Sequence, residues 1–253
     1  MEPSLPSRRL LALALITLCS CTASPPRDEL RALIDRHTEA RGGRAAIEAV
    51  QAVEIELEIE EPTFKVRGRY VATRAGLMRI DVYSGAERVF SEGFDGARGW
   101  ELAQDQTVGK VASDKGTAAL RHGVEFPFKL FGLHELPGRG HHLEALGRER
   151  IDGVDYFAVG LTLNDGYRVT YYLDPASTLI TRERQTRALH VDIDPTEELI
   201  ETRYEDYRPV AGVLYPFRQV ESSVASGQWL SRSTTLAVKV NPAIDPHFFE
   251  RPH

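Results

Sequence analysis

The chain has 253 residues and a formal net charge of −6, and 42% of its residues are hydrophobic. A chain of this length can bury a sizeable core, and its acidic balance argues against a nucleic-acid partner, because a phosphate-binding surface needs excess Lys and Arg. Its two cysteines, Cys19 and Cys21, both end an N-terminal apolar run, so no disulfide is available to the rest of the chain.

Residues 1–20 have the pattern of a bacterial secretory signal. Two arginines precede the nine-residue apolar run LLALALITL, which is long enough for a signal and about half of what a membrane-spanning helix needs. The sequence LCSC that follows resembles a lipobox. Because Leu18 is too bulky for the position before a cleavage site, Cys21 rather than Cys19 is the expected lipidated residue. An ordinary cleaved signal with two incidental cysteines is the alternative.

We therefore expect a lipoprotein of the bacterial cell envelope, joined to the membrane by a lipid on Cys21 and by a short polar tether at 21–27. Thr22, not an aspartate, follows the cysteine, which favours the outer membrane, with the protein facing the periplasm. After the signal, no apolar run approaches the length of a membrane span.

The first element after the tether is predicted to be a helix from Asp28 to about Arg41. Asp28 is a suitable N-cap, apolar residues recur at helical spacing, and Gly42 and Gly43 end the pattern. A second short helical turn is expected at 44–50.

The pattern then changes to strict alternation, beginning with EIELEIE at 54–60. We expect Ile55, Leu57 and Ile59 to face the interior and the four glutamates to face water, as in a half-buried strand. Similar runs continue to about residue 111 and resume from 143 to 240. They predict one mainly β domain at 28–253, with a single curved antiparallel sheet of eleven or twelve strands that forms an open or half β-barrel.

Residues 113–142 interrupt the strands. A short helix is expected at 113–122, and the apolar stretch VEFPFKLFGL follows at 124–133. Its candidate site residues are large and apolar: Phe126, Phe128, Leu130, Phe131 and Leu133. The sequence leaves open whether they form a mobile lid over an apolar cavity or pack in the core. Trp100, on a short strand, either faces the same interior or fills the core.

No catalytic or cofactor motif is present: there is no Gly-x-Ser-x-Gly elbow, phosphate loop or His-Glu-x-x-His pair. Four histidines lie within 21 residues: His122, His134, His141 and His142. The last two are adjacent and would point to opposite faces of a strand, so we interpret the group as part of a polar loop rather than a metal site. We expect no catalysis and no cofactor.

Four segments together resemble the LolA/LolB-like family. They are HTEARGG at 37–43, FDGARGW at 94–100, YRPVAGVLYP at 207–216 and NPAIDPHFF at 241–249. They occur in the family's order and span nearly the whole chain after the tether. The resemblance implies an open or half β-barrel with a helical lid that binds acyl chains in its hydrophobic interior. The best-known members carry lipoproteins across the periplasm.

The resemblance thus implies a non-catalytic carrier or acceptor that binds the acyl chain of a lipid or lipoprotein. The resemblance transfers no ligand-contacting residue, so Trp100 and the apolar residues of 124–133 are candidates for the cavity and its lid on the pattern of the sequence alone. One alternative is an envelope scaffold or accessory protein whose barrel is filled by its own side chains and which acts through its outer surface. An enzyme without a recognisable motif is a third alternative.

Overall fold

The computed structural model describes residues 26–253, with side chains from residue 28 onward. The predicted signal and the lipidation site Cys21 lie outside these residues. Within the described range, no helix is both long enough and apolar enough to cross a bilayer.

Three α-helices and thirteen strands form in this part of the chain. The helices are α1 (Pro26–Ala40), α2 (Arg44–Glu48) and α3 (Asp114–Glu125). The strands are β1 (Ala52–Glu61), β2 (Phe64–Thr73), β3 (Met78–Ser84), β4 (Glu87–Phe94), β5 (Gly99–Ala103), β6 (Lys110–Val111), β7 (His142–Ile151), β8 (Val154–Thr162), β9 (Arg168–Leu173), β10 (Ile180–Arg187), β11 (Glu198–Val210), β12 (Val213–Ser223) and β13 (Trp229–Val240). Two short 3-10 turns, Leu133–Glu135 and Pro137–Arg139, follow α3.

The strands form one antiparallel sheet that does not close into a barrel, in the order β6-β5-β4-β3-β2-β1-β13-β12-β11-β10-β9-β8-β7. The chain starts in the middle of the sheet, runs outward to β6, crosses to β7 at the opposite edge and returns until β13 pairs with β1. The mainly β, open-sheet prediction is confirmed. The sheet has thirteen strands rather than eleven or twelve, and the shortest of them, β6, is a two-residue edge strand paired with β5.

One face of the sheet, which we call the inner face, packs against α1, α2 and the segment that crosses from β6 to β7. Val53 and Tyr171 of the sheet belong to the same continuous apolar core as Leu33 of α1 and Ile47 of α2. A smaller apolar cluster lies on the outer face around Tyr172.

Helix α1 is fixed to the sheet at its C-terminal end. Gly42 and Gly43 both have positive φ, and a Cβ on Gly42 would lie 1.9 Å from the carbonyl oxygen of Gly212, in the β11–β12 turn. Only glycine fits there. On the same helix, burial lowers the pKa of His37 to about 3, so its imidazole is neutral and its Nδ1 donates to the Thr178 carbonyl at 2.9 Å.

Strand β1 alternates as predicted at its apolar positions. Ile55 is buried and Leu57 is partly buried, both on the inner face. Glu54 is an exception to the predicted exposure, because it is only 8% exposed. Its carboxylate accepts from Lys239 Nζ of the neighbouring strand β13 at 2.7 Å and also pairs with Arg69 of β2. A carboxylate can be buried at this position because two cations neutralise it.

Candidate functional site: a cavity beneath the insertion

A cavity of about 200 Å³ lies between the inner face of the sheet and the segment that follows α3. Its floor is apolar and is formed by Ile55 and Leu57 of β1, Ile80 of β3 and Val238 of β13. These side chains meet because alternate positions on neighbouring strands point to the same face. The floor is therefore built from the alternating pattern that is visible in the sequence.

The roof is formed by part of residues 124–133, which we call the insertion segment. Phe126 and Phe128 line the cavity from this side. The Phe128 ring stacks on Tyr204 of β11 with the ring centroids 4.1 Å apart and meets Tyr171 edge-on at 5.9 Å. Floor and roof together enclose a largely hydrocarbon space, which is the usual character of a binding site for an apolar ligand.

The remaining predicted residues of the insertion segment lie elsewhere. Leu130, Phe131 and Leu133 are almost fully buried in the main core and do not line the cavity. The Phe131 ring contacts two guanidinium groups, Arg74 at 4.8 Å and Arg139 at 3.7 Å from its centroid. Phe126 and Phe128 line the cavity and also pack with the main core, whereas Leu130, Phe131 and Leu133 pack in the core alone. That the first half of the segment moves as a lid stays a prediction.

Trp100 lies on the other face of the sheet, so its prediction as an interior cavity residue is wrong. It pairs with Gly93 of β4, where an added Cβ would lie 2.5 Å from the indole, and its Nε1 donates to the Phe249 carbonyl at 2.9 Å. The C-terminal residues thus cover it. A separate depression of about 270 Å³ lies beside Trp100 and is bordered by the charged residues Asp95, Arg98 and Arg251 as well as by Val111.

A buried arginine, which sequence reasoning did not identify, fixes the insertion segment. Arg41, two per cent exposed, donates through Nη2 to the carbonyl of Phe128 at 2.8 Å. Its Nη1 donates to the carbonyls of Phe131 at 3.2 Å and Pro127 at 3.4 Å. Burial lowers the pKa of this guanidinium. The only signal in the sequence is a charged residue immediately before the Gly-Gly stop, and nothing there indicates that its partners are backbone carbonyls.

One side of the cavity is polar. Gln219 of β12 and Ser233 and Thr235 of β13 line it, together with Lys129 of the insertion segment. The Lys129 ammonium lies 4.5 Å from the centroid of the Tyr70 ring, and burial lowers its pKa. The cavity is therefore amphipathic, with a hydrocarbon floor and one polar wall.

The four clustered histidines do not form the predicted polar loop, because three of them are buried in separate contacts. His122 Nε2 lies 2.7 Å from the Asp165 carboxylate, His134 Nδ1 lies 3.1 Å from the hydroxyl of Thr38, and His141 Nδ1 accepts from the backbone N of Asn164. Among the residues with described side chains, no three His, Cys, Asp or Glu groups converge as a metal site would require.

No protein-family model and no curated protein matches the chain. Solved structures do match. A LolA superfamily protein from Nitrosomonas europaea is 13% identical, with a TM-score of 0.56 over 86% of this chain and 96% of that one. A DUF1329 family protein from Desulfovibrio piger is 11% identical, with a TM-score of 0.58 over 87% and 96% of the two chains.

A third structure, named an outer membrane lipoprotein-sorting protein domain, comes from Vibrio parahaemolyticus. It is 12% identical to this chain, with a TM-score of 0.53 over 87% of this chain and 95% of that one. At such low identity the similarity is one of fold. The chain thus has the LolA-like fold, and the predicted resemblance is confirmed at that level.

Proposed function

We propose that the protein binds an acyl chain of a lipid or lipoprotein in the cavity beneath the insertion segment, as a non-catalytic carrier or acceptor of the bacterial cell envelope. The observation that carries this proposal is the cavity, with its floor at Ile55 and Leu57 and its roof at Phe126 and Phe128, in a LolA-like fold. Burying apolar surface contributes about 25 cal/mol per Å², so such a site needs no further chemistry to hold hydrocarbon.

The size of the cavity bears on how a ligand enters. Its volume is about 200 Å³. A protein cavity of about 150 Å³ holds a benzene molecule, so this one accommodates only part of a long acyl chain. A longer chain requires Phe126 and Phe128 to move away from the floor. In this proposal the first half of the insertion segment is a lid that opens by releasing the hydrogen bonds from Arg41 to the carbonyls of Pro127 and Phe128. The core residues Leu130, Phe131 and Leu133 are its fixed end.

The N-terminal sequence supplies the location. In this proposal residues 1–20 direct export, Cys21 carries the lipid anchor, and the tether at 21–27 joins it to the folded domain on the periplasmic side of the outer membrane. The name of the Vibrio parahaemolyticus structure, an outer membrane lipoprotein-sorting protein domain, agrees with this location.

The second candidate is an envelope scaffold with a self-filled interior. It is favoured by the burial of Leu130, Phe131 and Leu133, which occupy much of the inner face with the protein's own side chains. In that case the remaining cavity is a packing defect, and the outer surface carries the function.

Native mass spectrometry separates the two candidates. The protein is purified from whole cells as the Cys21→Ser variant, so that no covalently attached lipid complicates the mass. The acyl-chain proposal predicts a non-covalent lipid adduct at one molecule per chain, which organic extraction removes and added lipid restores. The scaffold candidate predicts the bare mass before and after added lipid.

A further inference from the structure

Two donors that line the cavity, the Tyr70 hydroxyl and the Lys129 ammonium, have no acceptor among the described residues. The hydroxyl of Tyr70 is buried and has no hydrogen-bond partner among the described residues, and the side chain is only 6% exposed. Lys129 takes part in none of the salt bridges formed among residues 28–253, and its ammonium lies over the Tyr70 ring at 4.5 Å. Since buried polar groups are normally paired, the Tyr70 hydroxyl lacks an expected acceptor, and the half-buried Lys129 ammonium beside it adds a positive charge. Together the two donors are suited to an anionic oxygen.

The nearest carboxylates do not neutralise Lys129. Glu221 is engaged by Arg187, whose Nη2 lies 2.6 Å from it, and by the hydroxyl of Ser231. Glu183 accepts a hydrogen bond from Gln185 at 2.8 Å, and burial raises its pKa to about 7. One carboxylate is thus already paired and the other is partly protonated at neutral pH, so the wall keeps an excess positive charge at Lys129.

We propose that the ligand is an amphiphile with an acidic headgroup, whose anionic oxygen pairs with the Lys129 ammonium and accepts a hydrogen bond from the Tyr70 hydroxyl while its chain lies over Ile55 and Leu57. This inference rests on the proposed function and adds the chemistry of the head. A fatty-acid carboxylate and a lipid phosphate both provide such an oxygen. Gln219, Ser233 and Thr235 line the same cavity from β12 and β13 and make that side polar.

The position of Lys129 gives the headgroup a second effect. Lys129 follows Phe128 directly and belongs to the lid, whereas Tyr70 belongs to β2 of the sheet. An anion held by both groups therefore links the lid to the sheet. Charge-assisted hydrogen bonds are stronger than neutral ones, and the low dielectric of the cavity strengthens them further. An acidic ligand closes the lid over its own chain, and a neutral one with the same chain does not.

Three ligands with the same chain test this inference on the purified protein: dodecanoate, dodecyl phosphate and 1-dodecanol, each below its aggregation concentration, by isothermal titration calorimetry. At least one anion should bind about tenfold or more tighter than the alcohol, as expected for a hydrogen bond to a charged group. The tighter of the two anions identifies the source of the headgroup.

Substitutions test which residues cause the preference for anions over the alcohol. Lys129→Met should bring both anions to the affinity of the alcohol while leaving alcohol binding unchanged, and Tyr70→Phe should reduce the preference by a smaller factor. Lys115→Met is the matched control, because Lys115 lies on the exposed side of α3 in a surface pair with Glu197, and it should leave the preference intact.

Equal binding of all three ligands to the unsubstituted protein overturns the headgroup inference and leaves the acyl-chain function standing. A preference for the anions that survives in Lys129→Met overturns it as well. If none of the three ligands binds, the proposed function and this inference fail together. The comparison of ligands on the unsubstituted protein decides the matter even if a variant does not fold.

Discussion

The Nη2 atom of Arg41 lies 2.8 Å from the carbonyl oxygen of Phe128, so a buried guanidinium at the end of α1 holds the roof of the cavity. The insertion segment has no strand partner for its backbone, and buried carbonyls need donors. Arg41 supplies them for three residues of the segment. The position of the roof therefore depends on one side chain from a distant part of the sequence.

Replacing Arg41 by Met should loosen the insertion segment. Three buried carbonyls lose their donor, and each unsatisfied polar group costs about 1–3 kcal/mol, although removal of the buried charge offsets part of this. We expect faster amide hydrogen exchange across 124–133 and a free energy of unfolding lower by roughly 1–3 kcal/mol in urea denaturation.

Arg44→Met is the control for this substitution. Arg44 forms an exposed ion pair with Asp35, and such pairs contribute at most about 1 kcal/mol. Similar exchange rates in the two variants would show that Arg41 does not hold the segment.

Substitutions of Phe128 and Phe131 should affect ligand binding and stability to different extents. Phe131→Ala removes a core ring and should lower the free energy of unfolding by about 3–5 kcal/mol, with little change in the affinity of the folded protein for dodecanoate. Phe128→Ala should cost less stability, because its ring borders the cavity, and should weaken dodecanoate binding roughly tenfold through lost apolar contact. Calorimetry measures the affinity for dodecanoate, and thermal unfolding measures the stability. A larger loss of affinity in Phe131→Ala would place the ligand elsewhere.

Asp165 should make stability depend on acid pH. It ties the β8–β9 turn to α3, since its carboxylate lies 2.7 Å from His122 Nε2 and also pairs with Arg121. Burial alone would raise the pKa of this carboxyl, but hydrogen bonds from His122 and the Tyr167 backbone, with the charge of Arg121, outweigh it and lower the pKa to about 2. The depressed pKa means that the ionised form stabilises the fold, so this contribution is present above about pH 4 and is lost as the pH falls toward the folded-state pKa.

Asp165→Asn should therefore lower the free energy of unfolding by about 1 kcal/mol at pH 7, allowing for solvent screening of this exposed group. The difference from the unsubstituted protein should shrink below about pH 4 in denaturant titrations. Asp155→Asn removes a carboxylate from an exposed pair with Arg150 and should have little effect at any pH. If the difference in free energy of unfolding between Asp165→Asn and the unsubstituted protein stays constant down to pH 2, Asp165 does not stabilise the fold in this way.

The lipid anchor predicted from the sequence stays a prediction. Cys21→Ser should release the protein from the membrane fraction or leave its signal uncleaved, whereas Cys19→Ser should do neither. Mass spectrometry of the mature N-terminus is the measurement. A mature chain that begins at a residue other than Cys21, or a Cys21 without acyl mass, would remove the lipoprotein interpretation.

The alternation of apolar and polar residues along the chain predicted the sheet and the cavity floor. Ile55 and Leu57 could be placed on the floor because a strand with one buried face is enough to fix which way they point. The alternation did not predict the burial of Glu54, since that depends on Lys239, 185 positions away. The same pattern could not show on which face of the sheet Trp100 lies, because a five-residue strand is too short for a clear alternation. Its face depends on its pairing with Gly93 of β4. The partners of Arg41 could not be predicted, because backbone carbonyls have no signature in the sequence.

The most direct measurement of the acyl-chain account is the binding of dodecanoate to two variants of neighbouring β1 residues, Leu57→Trp and Glu56→Trp. Leu57 borders the cavity, so a tryptophan there should fill it, whereas Glu56 is exposed on the other face of the strand. Calorimetry should find one site per chain in the unsubstituted protein and in Glu56→Trp, and none in Leu57→Trp. Equal binding to both variants, or no binding to the unsubstituted protein, would contradict the account.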